Sequence, residues 1–85
     1  MANVELYTTP TCPFCIRAKG YLDRQGVEYT DINVAYNPEL RHEMVTRSGG
    51  GTTVPQIFIN DQSIGGCDEL FDLAMDGELD ELLGR

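Results

Sequence analysis

The chemistry of this chain is concentrated in Cys12-Pro13-Phe14-Cys15, two thiols separated by two residues. A thiolate is both the nucleophile of disulfide exchange and a metal ligand, so the pair suits either a redox centre or half of a zinc site. Structural zinc takes four ligands, and only Cys67 and His42 remain as soft donors, with no second pair at ligand spacing. His42 is expected to sit exposed or as a cap on a helix rather than act as a base. Redox chemistry is therefore the reading, and no metal is expected.

Such a pair needs a helix start to work well. Val4 and Leu6 alternate with polar residues and run into Thr8-Thr9-Pro10-Thr11, which reads as a short strand entering a turn. Pro13 suits the first helical position, where its missing N–H is no loss and its φ is already helical. Cys12 then falls at the N-cap, with Cys15 one turn along and within disulfide reach. Unpaired N–H groups and the positive end of the helix dipole face Cys12 and favour its thiolate. A C-x-x-C beside a βαβ pattern reads as a redox motif.

The rest of the chain supplies the scaffold. The pattern predicts a strand over 3–8 and a helix over 13–25, with Cys15, Ala18 and Leu22 on one face and Gly26 as the stop. Gly20 inside that helix costs about 1 kcal/mol relative to Ala. A second strand is expected over 28–34 (Tyr29, Ile32, Val34), parallel to the first through a right-handed crossover. Asn37-Pro38 opens a helix over about 38–48, with Leu40, Met44 and Val45 inward, ended by Ser48-Gly49-Gly50-Gly51. Gln56-Ile57-Phe58-Ile59 is nearly all apolar and suits a central strand. Asn60-Asp61 turns it back into a strand over 62–64. Gly65-Gly66 bends the chain before a helix from Asp68 to Met75, with Leu70, Phe71 and Ala74 facing the sheet. A last helical turn or two follows from Glu78 to Leu83. The order βαβ–α–ββα gives an α/β class and a four-stranded mixed sheet with helices on both faces.

Bulk properties narrow the function. The 85 residues make one small domain, 1–85, with no repeat, linker or low-complexity tract. A net charge of −8 argues against nucleic acid, which calls for clustered Lys and Arg. No stretch approaches the roughly 18 apolar residues of a membrane span, and the N-terminus lacks the pattern of a signal peptide. Three cysteines are too few for a disulfide-stapled secreted scaffold, so a reducing, cytoplasmic location is expected. Much of the acidity lies late, in Asp68, Glu69, Asp72, Asp76, Glu78, Asp80 and Glu81. It reads as a solvated face, or as a docking surface for a basic partner.

With this order in place, three motifs together give the chain a family likeness. Cys12-Pro13-Phe14-Cys15, Thr53-Val54-Pro55 and Gly65-Gly66-Cys67-Asp68 stand in the order and spacing of the glutaredoxins, and the sequence resembles a dithiol, class I bacterial member essentially end to end. The resemblance implies the thioredoxin fold and thiol–disulfide exchange, with glutathione as co-substrate and no permanently bound cofactor. It matches Cys12 to the nucleophile and Cys15 to the resolving thiol, the two forming the redox disulfide. Thr53 and Val54 match the strand edge that pairs with the glutathione backbone, and Pro55 the family's cis-proline. Gly66, Cys67 and Asp68 match the segment holding the γ-glutamyl end, and Arg41 a position that meets the glycyl carboxylate. Phe14 replaces the commoner Tyr, keeping the ring of that binding position without the hydroxyl. Thr9 stands where the family usually carries Lys, which removes one carboxylate contact and one electrostatic aid to the Cys12 thiolate. Glutathione and glutathionylated or disulfide-containing proteins are the implied partners of an expected monomer.

Some sites keep two readings. Cys67 reads as a small residue offering its backbone N–H at a helix start rather than as a third redox thiol. Asp68 suits a plain N-cap as well as a partner for a ligand ammonium group. A redoxin of the same fold served by thioredoxin reductase would lack use for Asp68 and Thr53. An iron–sulfur carrier ligating its cluster through Cys12 and glutathione is disfavoured by Pro13, which stiffens the turn.

Overall fold

The computed structural model describes residues 2–85. Its elements run β1 (Val4–Thr8), α1 (Pro13–Arg24), β2 (Thr30–Asn33), α2 (Pro38–Arg47), β3 (Gln56–Ile59), β4 (Gln62–Gly65), α3 (Cys67–Met75) and α4 (Glu78–Leu83). The sheet order is β2-β1-β3-β4. β1 pairs with β2 in parallel, from Glu5 opposite Thr30 to Thr8 opposite Asn33, and antiparallel with β3, from Val4 opposite Ile59 to Tyr7 opposite Gln56. β3 is therefore central, as its continuous apolar run requires. Asn60 and Asp61, both at positive φ, form the tight turn into β4.

Alternation along β1 and β3 sorts side chains onto two buried faces. Val4, Leu6, Ile57 and Ile59 face α1, α3 and α4, meeting Ala18, Leu22, Leu70, Leu79 and Leu83. Tyr7 and Phe58 face the other way and pack with Val34 and Met44, with Leu40 and Val45 of α2 partly buried beside them. Leu22 and Leu70 are fully buried, and truncating either to Ala would cost about 2–5 kcal/mol.

The second face is small and is fastened by charge. Arg47, in the last turn of α2, stacks over the Phe58 ring with its guanidinium carbon 4.2 Å from the centroid. It donates to Glu5 at 3.1 Å, to the Tyr7 hydroxyl at 2.9 Å and to Asp61 at 3.3 Å. Glu43 accepts from the Tyr7 hydroxyl at 2.9 Å. Tyr7 and Phe58 meet edge to face at 5.6 Å.

The elements match the expected order, with differences at the ends. β2 is shorter than 28–34, and Tyr29 precedes it. Val34 is buried just beyond it and its N–H donates to the Thr8 carbonyl at 2.9 Å. α3 begins at Cys67 with Gly66 as its N-cap. Asp68 is thus the second residue of the helix and not its cap, which corrects that reading. Gly66 takes the cap because its extended backbone (φ −103°, ψ −157°) leaves its N–H facing the Glu69 carboxylate, which accepts it at 2.7 Å.

Candidate active site

The C-terminal end of β1 delivers the chain into Thr9-Pro10-Thr11, and Cys12 caps α1 with extended backbone (φ −85°, ψ 115°). Its sulfur accepts the Cys15 backbone N–H at 3.3 Å, and its thiol donates to the Val54 carbonyl at 3.6 Å. Pro13 occupies the first helical turn. Both cysteines are free thiols, Cys12 partly exposed and Cys15 fully buried. Burial above all, helped by the hydrogen bond with Cys12, pushes the Cys15 thiol up to about 12, against a backbone hydrogen bond from Thr9 and the charge of Lys19. The accessible sulfur is thus the one at the helix end, and the second is held protonated behind it.

Behind β1, the Thr8 hydroxyl donates to Asp31, and Lys19 pairs with the same carboxylate at 2.9 Å. Burial works to raise the Asp31 carboxyl, but Thr8 and Lys19 outweigh it and hold it below its usual value.

A cleft of about 320 Å³ opens beside Cys12, lined by Phe14, Thr53, Val54, Pro55, Gly66, Cys67, Asp68 and Glu69. That is at the small end of the range of small-molecule sites, roughly 300–1,000 Å³. Seven of the eight residues expected to contact glutathione thus converge on one cavity from three separate stretches of chain. Arg41 does not line it. It stands exposed on α2, with its guanidinium donating to the Thr52 carbonyl at 3.4 Å, next to the Thr53 end of the cleft. The Val54–Pro55 bond is cis, the form implied by the resemblance.

The loop into Thr53 is tied in spite of its glycines. Ser48 Oγ accepts the Gly51 N–H at 2.8 Å, and buried Gln56 donates to the Thr53 carbonyl at 2.9 Å. On the opposite wall, Gly65 has φ +112°, and a Cβ there would lie 2.8 Å from the Glu69 side chain. A side chain at 65 would meet both a strained backbone and the carboxylate that caps α3.

Cys67 opens α3 and is buried, 5% exposed. Burial raises its thiol pKa; Arg17 opposes this, while Asp68 and Cys12 add to it. Asp68 is exposed. His42 is exposed on α2. Among the described residues no three His, Cys, Asp or Glu side chains are grouped to hold a metal ion. Glu69 is the cleft residue the sequence reading missed. Its signal was its place three residues after Gly66, the spacing of a carboxylate that reaches back to the cap N–H.

The chain's likeness to known proteins runs along the same lines. The Glutaredoxin family profile matches residues 4–64. Glutaredoxin 3 of Escherichia coli K12 is 54% identical over 83 residues, spanning 98% of this chain and 99% of that protein. The solution structure of a glutaredoxin from Brucella melitensis matches with a TM-score of 0.84 at 49% identity, over all of this chain and 94% of that one. The crystal structure of a buckwheat glutaredoxin–glutathione complex matches with a TM-score of 0.87 at 27% identity, over 98% of this chain and 77% of that one.

Proposed function

The chain belongs to the glutaredoxin family of thiol–disulfide oxidoreductases, and from that premise we propose that it uses glutathione to reduce glutathione mixed disulfides and protein disulfides. The observation that carries this reading is the cleft beside Cys12, on which Phe14, Thr53, Val54, Pro55, Gly66, Cys67 and Asp68 converge. The same ligand was captured on the buckwheat relative.

In the proposed cycle the Cys12 thiolate attacks the glutathione sulfur of a mixed disulfide. The Cys12–glutathione bond forms as the old S–S bond breaks, and the substrate leaves as a thiolate that takes a proton from water. A second glutathione thiolate attacks the glutathione sulfur held on Cys12, giving glutathione disulfide and restoring the Cys12 thiolate. For an intramolecular protein disulfide, Cys12 forms the mixed species and Cys15 attacks Cys12 to release the reduced protein. The Cys12–Cys15 disulfide is then reduced by glutathione. Glutaredoxin potentials of about −200 to −230 mV lie within reach of a glutathione poise of about −220 to −260 mV.

Each wall of the cleft has a role in that cycle. The Thr53–Val54 backbone offers strand-type hydrogen bonds to a tripeptide, a small β-augmentation. The N–H groups at the start of α3 suit the γ-glutamyl carboxylate, and Asp68 suits its ammonium group. Arg41 suits the glycyl carboxylate at the far end. Phe14 supplies an apolar wall beside the reacting sulfur. The three free thiols fit a reducing compartment, the cytoplasm. The chain is proposed to act as a monomer.

A small mixed disulfide, bis(2-hydroxyethyl) disulfide, assayed with glutathione and glutathione reductase, tests the reading. Turnover there and its absence with thioredoxin reductase are expected. The reverse pattern would replace glutathione by a flavoenzyme as the reductant.

A further inference from the structure

A cavity of about 680 Å³ lies away from the cysteines, between β4 and the α3–α4 helices. Its apolar lining comes from Ile64, Leu73 and Leu82. Around these stand five carboxylates, Glu69, Asp72, Asp76, Glu78 and Glu81, and no basic side chain. Among the described residues none of the five is in an ion pair. The spacing makes matters worse for the free protein. Asp72 and Asp76, the latter the cap residue that ends α3, are four apart, and Glu69 with Asp72 and Glu78 with Glu81 are three apart, so each pair is a mutual repulsion on one helix face.

Two further features say what would relieve it. β4 is the last strand of the sheet, so one wall of the groove is an edge whose outward N–H and C=O groups have no strand partner. The groove also adjoins the redox cleft, since Glu69 lines both. We propose that this groove is a docking site for an extended, lysine- or arginine-bearing segment of a disulfide-containing partner protein, laid along β4 while its disulfide reaches Cys12. The segment's backbone would add to the β4 edge, its aliphatic stems would cover Ile64, Leu73 and Leu82, and its cations would neutralise the helix carboxylates. Selection among protein substrates would then come from charge outside the cleft that holds glutathione.

The kinetic arm rests on the proposed glutathione chemistry, and the binding arm does not. Two glutathionylated peptides, identical but for a flank of lysines or of serines, are compared at about 20 mM and about 0.5 M salt. The lysine peptide is expected to show a Michaelis constant about tenfold lower at low salt, the size a few exposed ion pairs give, and the difference should vanish at high salt. The triple variant Asp72→Asn/Asp76→Asn/Glu81→Gln should lose the preference while turning over bis(2-hydroxyethyl) disulfide at the wild-type rate. Equal constants for the two peptides, or a preference that survives in the triple variant, overturns the proposal. In parallel, a fluorescent, cysteine-free lysine peptide should bind the wild type and not the triple variant by anisotropy, whatever the reductant. Alternate N-methylation of that peptide should weaken binding, and unchanged binding overturns the strand addition.

Discussion

The Cys12 sulfur is the helix cap for Cys15: it accepts the Cys15 backbone N–H at 3.3 Å. One atom therefore holds the start of α1 and performs the proposed attack. The two roles separate on mutation. Cys12→Ser keeps an oxygen that caps well and should retain stability, whereas Cys12→Ala should lose about 1 kcal/mol. Both should abolish turnover on every disulfide. Urea unfolding of the two variants beside the wild type checks this; equal stabilities would mean the cap contributes nothing.

The second thiol has a pH signature. With burial pushing its value up to about 12, Cys15 stays protonated at pH 8. Iodoacetamide should label Cys12 alone there, and Cys15 labelling should rise tenfold per pH step above that. The linkage follows in sign. A free thiol ionises near about 8.5 in the unfolded chain, so Cys15 stabilises the reduced fold fully below that pH and loses the contribution as pH rises toward about 12. Cys67, also raised by burial, acts in the same direction. Asp31, held low by Thr8 and Lys19 against its burial, works at the other end, its contribution lost as acid protonates it. Melting temperature against pH should fall on both flanks, less steeply on the alkaline side in Cys15→Ala.

On the glutathione side, Cys67→Ser should leave the coupled rate within a few-fold of wild type, because the proposed contact is a backbone N–H. Asp68→Ala should raise the Michaelis constant for glutathione about tenfold, the loss expected for a charge-assisted hydrogen bond. Steady-state kinetics on both variants decide it. A crippled Cys67→Ser beside a normal Asp68→Ala would make Cys67 a third redox thiol instead.

Two glycines predict opposite outcomes. Gly20 lies inside α1, and a Cβ there would meet only the end of Arg24 at an ordinary 3.5 Å. Gly20→Ala should stabilise by about 0.4–1 kcal/mol and raise the melting temperature by a few degrees. At Gly51 a Cβ would lie 2.7 Å from both Gln56 Nε2 and Ser48 Oγ, the two groups that tie the loop before Thr53. Gly51→Ala should destabilise the protein and weaken glutathione binding together, measured by calorimetry and by the Michaelis constant.

Much of this was legible in the chain because its signals are local. Pro13 after Cys12 announces the helix start, Asn37-Pro38 a second one, and the unbroken run Gln56 to Ile59 a strand covered on both faces. The gathering of Thr53, Val54, Cys67 and Asp68 beside Cys12 was legible only through the family likeness, since periodicity cannot say which loops meet. What stayed hidden depends on long-range contact. Arg47 is one more basic residue at a helix end until α2 lies across the sheet and sets it on Phe58, against Glu5 and Tyr7. Gly66 as cap was missed because glycine has no side chain to announce the role, which passes instead to Glu69.

The two sides of the sheet are fastened by different forces, and the difference sets how the molecule breathes. α1, α3 and α4 adhere through hydrocarbon, which salt does not weaken. α2 adheres through a small apolar patch and the Arg47 ion pairs, of which the one to exposed Asp61 is the one that ions in solution screen. Rising ionic strength should therefore loosen one flap and leave the opposite layer shut, with faster amide exchange along α2 than along α1. Arg41 travels with that flap and Cys12 does not. The far grip on a ligand can let go while the sulfur that reacts stays aimed.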